Sequence, residues 1–488
     1  MTPDDPATER LLEQVRAHAA EYLRRLPDRP VRADLTAGEL RAALGGPLPD
    51  DPTDPVTVVD ALAAVAGRGM TATTSARFFG FVVGGALPAA MAADMLTPVW
   101  DQNAGLFVAG AVASVAEEIS REWLIDLFGL PADASLGFVT GGQMANTTAL
   151  TVARNHVLAA NGWDVERDGL AGGPRITVVA GAERHSTIDR GMRFAGLGGR
   201  PVLVDVDREG ALRPDALAGT LDTLDGPVIV CTQMGNVNTG ALDPVGTLAD
   251  IAHEHGAWVH VDGAFGLWAA VTPRLREQVA GMERADSWAV DAHKWLNVPY
   301  DSGLVFTAHP ASHQATTGTD RGQTSYLLFA DGVRDPLEWT PEFSRRGRGF
   351  AVWAALRSLG RSGVVDLVDR CCAMAQRFAD QLSAAPGVTV HNAAHRPMAS
   401  DVRPQPTTAQ PGSTNTIVLN QVLVGFDGVD VPALITAIQA EGTCFPTGTS
   451  WRGRQLMRIS VSNWQTDADD VDRSVTAILE CYEKARAG

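Results

Sequence analysis

Lys294 stands in VDAHKWLNVPYDSG, residues 290–303, and the only other lysine of the chain is Lys484. The chain has 40 lysines plus arginines, so 38 of them are arginines and ordinary surface charge is supplied almost without lysine. An arginine keeps its proton in any protein environment. A desolvated lysine amine can lose it and become a nucleophile that forms a Schiff base with a carbonyl. Lys294 is therefore the candidate covalent residue. On composition alone a chance surface lysine competes with that reading, and the neighbouring stretches have to decide between them.

Three stretches bear on the choice. FVTGGQMANTTALTVARNHVL, 138–158, reads as the end of a strand, a Gly-Gly turn at Gly141 and Gly142, and a helix whose first N–H groups converge on one spot, a cradle for phosphate or another anion. A plain turn is the bland alternative. No GxxxxGK[ST] and no helix-opening GxGxxG offers a different phosphate site. AWVHVDGAFG, 257–266, is an apolar strand ending in Asp262, with small Gly263 and Ala264 leaving room for a flat ring; a cap or a magnesium ligand would also suit such an aspartate. GAERHSTIDR, 181–190, sets His185 just after another strand, with Ser186 placed to cap the next helix, and a lone histidine there is more often structural. Together the cradle, the histidine, the acid and the lone internal lysine match the needs of pyridoxal 5′-phosphate. Its phosphate requires helix N–H groups, its ring nitrogen a carboxylate and its aldehyde an amine.

These residues need a scaffold that brings strand ends together. Between about 135 and 310, the runs RITVVAG, PVLVDVD, PVIVCTQ, AWVHVDG, SWAVDA and GLVFTA alternate with helical stretches. That alternation predicts an α/β fold with a mostly parallel central sheet flanked by helices, whose ligands sit beyond the carboxyl ends of the strands. Residues 1 to about 70 are helix-periodic, and after about 345 one long helix leads into a smaller α+β region containing the Pro/Thr-rich stretch RPMASDVRPQPTTAQPGST, expected to be a mobile loop.

Whole-chain properties exclude several classes. A formal net charge of −17 argues against nucleic acid or an anionic membrane as partner and leaves a small molecule as the ligand. No run approaches a membrane span, and the start lacks the apolar stretch of a secretion signal. Five cysteines without CxxC spacing indicate a reduced, cytoplasmic protein with neither disulfides nor a zinc ribbon, and His253, His255 and His260 read as a helix end and strand with no metal.

The chain resembles the pyridoxal-phosphate-dependent group II decarboxylases, the family of aromatic-L-amino-acid and glutamate decarboxylases with the type I aminotransferase fold, over roughly residues 75–480. AHKW is similar to the family's lysine motif, HVDGAFG to its ring-aspartate motif, TGGQMAN to its phosphate turn and RHS to its stacking-histidine motif. RFFGFVVGGALPAAMAADMLT, 77–97, resembles the substrate-side segment and LMRISVSNWQT, 456–466, the strand whose arginine takes the substrate's α-carboxylate.

The resemblance implies an amino-acid decarboxylase that releases the amine and CO2. Lys294 would form the internal aldimine and be displaced by the substrate amine, loss of CO2 would leave a quinonoid carbanion, Asp262 would pair with the ring nitrogen, and His185 would stack on the ring. The turn Gly141, Gly142, Gln143 together with Asn236, Ala264, Asp291 and His293 would surround the cofactor. Arg458 would hold the α-carboxylate, and Tyr326, on a loop donated across a dimer interface, would protonate the carbanion. Phe79, Trp100 and Asn103, with Phe78 and Phe107, come from the segment expected to line the pocket; aromatic residues there are more often core than ligand contacts, and the set hints at an aromatic or apolar side chain. Arg345, Arg346 and Arg348 keep an acidic substrate open. The implied organisation is a helical segment packing on the dimer partner (1–74), a large cofactor-binding domain (75–344) and a small α+β domain (345–488). The chain departs from the family at Gln143-Met144, at Asn236 and at Asp291, where relatives carry asparagine. A carboxylate at 291 should face a dianionic phosphate only if donors or cations screen it. Another pyridoxal-phosphate reaction (transamination, C–C cleavage or aldehyde-forming oxidative decarboxylation) and a non-catalytic protein of the same fold are the competing functions.

Overall fold

The computed structural model describes residues 6–319, 327–329, 332–395 and 415–487. The β-branched and apolar runs become the strands β1 (Ser135–Val139), β2 (Thr177–Gly181), β3 (Val202–Val204), β4 (Val228–Gln233), β5 (Trp258–Asp262), β6 (Ser287–Asp291) and β7 (Gly303–Thr307). They form one sheet in the order β1-β7-β6-β5-β4-β2-β3. β7 runs antiparallel to both neighbours. The remaining pairs are parallel. Every residue of β1, β5, β6 and β7 is buried, the pattern of strands covered on both faces, which is why they read as unbroken apolar runs instead of alternating ones.

Before the sheet come α1 (Pro6–Arg25), α2 (Ala37–Leu44), α3 (Pro55–Gly69), α4 (Pro88–Trp100) and α5 (Ala111–Phe128). Thr36 and Glu39 form a capping box on α2, and Asp54 caps α3 ahead of Pro55. None of α1, α2 and α3 buries a single residue. α6 (Gly142–Ala160) opens directly after β1. The long helix expected after 345 is instead two: the run Gly349–Ser383 is interrupted at Gly360, whose φ of 61° no helix interior accepts. Beyond it, strands Val388–Val390, Gln421–Phe426, Thr447–Trp451 and Arg454–Ser460 make an antiparallel sheet backed by helices Val431–Glu441 and Ala468–Ala487. The stretch 396–414, expected as a mobile loop, lies outside the described residues. No described helix is long and apolar enough to cross a membrane, and all five cysteines are free and buried.

At the entry end of the central strands Asp286 ties three elements together. Its carboxylate accepts from Val259 N at 2.7 Å, His253 Nε2 at 3.0 Å and His309 Nε2 at 2.7 Å. Burial pushes this acid up, but the histidine and backbone donors outweigh it and hold the group at about 2. A carboxylate lowered from an unfolded value near 3.9 stabilises the fold fully above that value and loses its contribution as pH falls towards 2. Asp286→Asn is accordingly expected to cost about 2 kcal/mol at pH 7, and the gap to the parent should close during a denaturant series taken from pH 5 down to pH 2.

Candidate active site

The carboxyl ends of β5 and β6 deliver Asp262 and Asp291 side by side, bridged by Ala264: its N–H donates to Asp262 Oδ1 at 3.2 Å and its carbonyl accepts from Asp291 N at 2.8 Å. Lys294 follows β6 by one turn, and its Nζ lies 2.9 Å from Asp291 Oδ2. Asp291 Oδ1 accepts from Gly142 N, the first amide of α6, at 2.5 Å and lies 3.4 Å from His293 Nε2. A Cβ at Gly142 would stand 2.7 Å from Asp291 Oδ2, so a larger residue there would have to push this carboxylate aside. Gly142 N, the Lys294 amine and the His293 ring are thus the donors and cation that surround Asp291. Ser302 N donates to His293 Nδ1 at 3.1 Å, so in the neutral ring the proton sits on Nε2, facing Asp291. Burial pushes this imidazole down, and Tyr300 stacks on it with centroids 4.1 Å apart.

Lys294 is held by its backbone as well. A Cβ on Gly84 would lie 1.9 Å from the Lys294 carbonyl oxygen, so only glycine lets the 77–87 segment pass this close. Asn297 has every amide position used: Oδ1 accepts from Gly85 N and Trp464 N, and Nδ2 donates to the carbonyls of Trp295 and Ser462. One side chain thereby knits the lysine loop to the N-terminal segment and to the end of the strand bearing Arg458.

His185, not Ser186, caps the helix Ser186–Phe194, its Nδ1 accepting from Thr187 N at 3.3 Å. It stands exposed in the cleft yet is ringed by protein. Burial pushes its ring toward the neutral form, with Lys294 and Arg458 acting the same way and Asp262 and Asp291 opposing, so all four charges face it. Thr187 is the residue sequence reasoning missed. Its hydroxyl lies 2.9 Å from His185 Nδ1, donates to Asp262 Oδ2 at 3.4 Å and accepts from Asn146 Nδ2 at 3.1 Å. Asn146 in turn meets the fully buried His260, 3.0 Å away, which also contacts Ser287. His260 is therefore a core residue beneath the site. His253 pairs with Asp286 and His255 with Asp222, and among the described residues no cluster could hold a metal ion.

Arg458 is 8% exposed, donates to Val237 O at 2.9 Å and has a buried Nε without a partner. No carboxylate among the described residues pairs with it. Burial pushes its guanidinium down to about 10, leaving it charged at neutral pH. Thr447, its register partner on the adjacent strand, accepts from Phe81 N at 3.4 Å. Phe81 is 59% exposed and holds a φ of 56°, so it stands out beside Arg458's strand.

The residues of the expected pocket segment have partners of their own. Phe79 is 1% exposed and packs edge-on against Phe378; it is core, as is Phe78 against Phe445. Trp100 is exposed at the end of α4 against Phe350, and Asn103 builds a turn, accepting from Gly105 N and Arg345 N. Asn236 likewise spends its carbonyl on Asn238 N and Thr239 N and its amide on Glu183 O. Gln143 reaches Thr147 and the Thr187 carbonyl. Tyr326 lies outside the described residues.

The three arginines that could have received an acidic side chain are all engaged. Arg346 pairs with Asp94 and Arg348 with Asp301. Arg345 is buried against Glu117 at 2.7 Å, with side-chain exposures of 1% and 0%, and also donates to the Ala104 and Phe138 carbonyls. Arg345→Met would strand Glu117 as a buried, unpaired charge. A loss of about 3–5 kcal/mol is expected, seen as an early denaturant midpoint and largely reversed by adding Glu117→Leu.

Residues 38–398 match the family model described as the pyridoxal-dependent decarboxylase conserved domain. The chain is 31% identical over 395 residues to a tyrosine decarboxylase of Oryza sativa subsp. japonica, an alignment covering 76% of this chain and 71% of that one. It is 26% identical over 367 residues to a phenylacetaldehyde synthase of Petunia hybrida, covering 74% and 72%. The solved structure of Oryza sativa TDC with PLP and tryptamine superposes with a TM-score of 0.86 at 22% identity over 99% of each chain, a likeness of fold.

Proposed function

The chain belongs to the pyridoxal-dependent decarboxylase family, and from that premise we propose that it decarboxylates an aromatic L-amino acid to the amine, working as a cytoplasmic homodimer. The single observation that carries the substrate reading is the engagement of Arg345, Arg346 and Arg348 by Glu117, Asp94 and Asp301, which leaves Arg458, among these arginines, buried without an anionic partner in the described residues. One anion site suits an α-carboxylate with a neutral side chain; exposed Phe81 beside it supplies apolar surface.

The residues fit pyridoxal 5′-phosphate: a glycine turn with a helix start free of an N-cap side chain, the Lys294 amine and the strand-end carboxylate of Asp262 stand at the carboxyl ends of neighbouring strands. On this reading Lys294 holds the cofactor by its amine, Asp262 faces the ring nitrogen, His185 covers the ring, and the turn 141–143 with His293 receives the phosphate. When bound, the cofactor supplies an electron sink for the bond broken at the substrate's Cα. Arg458 takes the α-carboxylate and turns the scissile bond across the ring plane. Asp262, by its charge, keeps a proton on the ring nitrogen, and Thr187 fixes that carboxylate's orientation. The carboxylate departs as CO2 and a proton takes its place at Cα; Tyr326 is the proposed donor.

The proposed division is a helical segment (1–74), a cofactor-binding domain (75–344) and a small domain (345–488). A partner chain would cover the uncovered faces of α1 and α3 and the exposed Leu96, Val99 and Val112. Sedimentation at micromolar protein should give a dimer; a monomer would remove this part. The likeness to a phenylacetaldehyde synthase makes aldehyde formation the second reading. Incubation with each of the twenty amino acids, scoring CO2, amine, hydrogen peroxide and keto acid, tests both. The proposal expects CO2 and amine in equal amounts from an aromatic substrate, whereas peroxide with aldehyde, or turnover of glutamate alone, would overturn it.

A further inference from the structure

We propose that Asp291 is a built-in counter-anion in the cofactor's phosphate cradle, so that loading the phosphate requires uptake of one proton held between this carboxylate and the phosphate. The inference rests on the cofactor placement above. Asp291 is 2% exposed and sits on the first amide of α6, where the helix end carries its partial positive charge. Gly141 and Gly142 crowd directly onto it: Cβ atoms there would lie 3.3 Å and 2.7 Å from its oxygens. A phosphate drawn to the same amides therefore meets a carboxylate already in place.

The charges facing Asp291 come from every side. Lys294 and His293 belong to its own loop, at 2.9 Å and 3.4 Å. His185 approaches from the start of the helix Ser186–Phe194, and Tyr300 from the turn after the lysine, both close enough to sense the carboxylate's charge. Lys294 is the one lysine or arginine in this set, and burial pushes both histidines toward neutrality. One cation balances Asp291 in the empty cradle. A phosphate dianion, formed above its second pKa of about 6, adds two negative charges, against which the groups just named, among the described residues, set no further full positive charge beyond the partial one of the helix end, and Lys294 gives up its place beside Asp291 when its amine engages the aldehyde. Protonation of one of the two crowded anions removes the conflict, as for any like-charged pair in a dry site.

Apart from any proton Lys294 gives up in forming its bond, which pyridoxal shares, the complex then holds one more proton than its free components, and affinity relative to pyridoxal must fall as pH rises. For the full-length protein, the dissociation constant of pyridoxal 5′-phosphate relative to that of pyridoxal, both measured by equilibrium dialysis, should increase about tenfold per pH unit between pH 7 and 8.5. In Asp291→Asn, which keeps an acceptor for Gly142, the change should shrink to about twofold or less across that range. Pyridoxal makes the same covalent bond but has no phosphate, so any change that residue 291 makes through its ion pair with Lys294 appears with pyridoxal as well and is subtracted in the comparison within each protein.

An unaltered slope in Asp291→Asn, or an effect of residue 291 on pyridoxal equal to that on the phosphate ester, would overturn the inference. Should the variant fold poorly, calorimetry on the parent protein in two buffers of different ionisation heat counts the protons directly. About one proton taken up with the phosphate ester beyond pyridoxal supports the inference, and none overturns it. The placement itself is read separately. If Lys294→Ala abolishes the bound cofactor's visible absorbance while no proton is taken up, the site stands and this inference falls.

Discussion

Lys294→Ala protein should fold, bind cofactor weakly without the visible absorbance of the protein-linked form, and lose turnover by roughly 10⁵-fold or more, the scale of advantage a tethered group has over a free one. The fold should survive because the lysine loop is fastened by other means. Gly84 packs on its backbone, and the four hydrogen bonds of Asn297 tie it to Gly85, Trp295, Ser462 and Trp464. Asp291 keeps Gly142 N and His293 when the amine is gone. Lys294→Arg sharpens the test, since it restores the positive charge beside Asp291 but offers no amine that can lose a proton. Both variants should be equally inactive. An active arginine variant would mean that the charge, and not the nucleophile, matters at this position, and the assignment of Lys294 would fail.

That lysine was legible because the chain uses arginine almost everywhere else, and Asp262 because an apolar run that stops at an acid and two small residues marks a strand end. The sheet was legible for the same reason: strands buried on both faces leave unbroken apolar runs, seen in β5 and β6. What stayed hidden depended on backbone direction or on distant partners. Phe79 and Phe81 sit in one short segment with the same side chain, yet Phe79 is core and Phe81 is exposed, because the φ of 56° at Phe81 breaks any simple alternation. Thr187 looked like ordinary helix filling; its role appears only once β5 brings Asp262 beside the helix start. Asn236 and Asn103 carry polar side chains that local turns consume. The arginines of FSRRGRGF find acids at 94, 117 and 301, separations no local pattern encodes. Gly360 gave no signal strong enough to divide a helix whose flanks are both periodic.

Asp262→Asn should lower kcat by about 10²–10³-fold, the usual effect of removing one preorganised electrostatic partner from an enclosed site, while leaving the fold and the KM nearly unchanged. The structural cost is small because asparagine can still accept from Ala264 N with its amide oxygen, as Asp262 does at 3.2 Å, and His185 and Thr187 remain capped on the helix start. What asparagine cannot supply is the negative charge. On the proposed placement that charge keeps the proton on the cofactor's ring nitrogen; without it the proton must come from solvent. The pH profile should therefore change in a definite sense, with residual activity rising as pH is lowered, where the parent enzyme is flat. Thr187→Val, which removes the hydroxyl bridging Asp262, His185 and Asn146 but leaves the charge, should show a smaller loss and no such shift. A kcat within threefold of the parent for Asp262→Asn, or the same pH profile in the two variants, would show that this carboxylate only supports the loop around Ala264, and the ring would have to be placed elsewhere in the cleft.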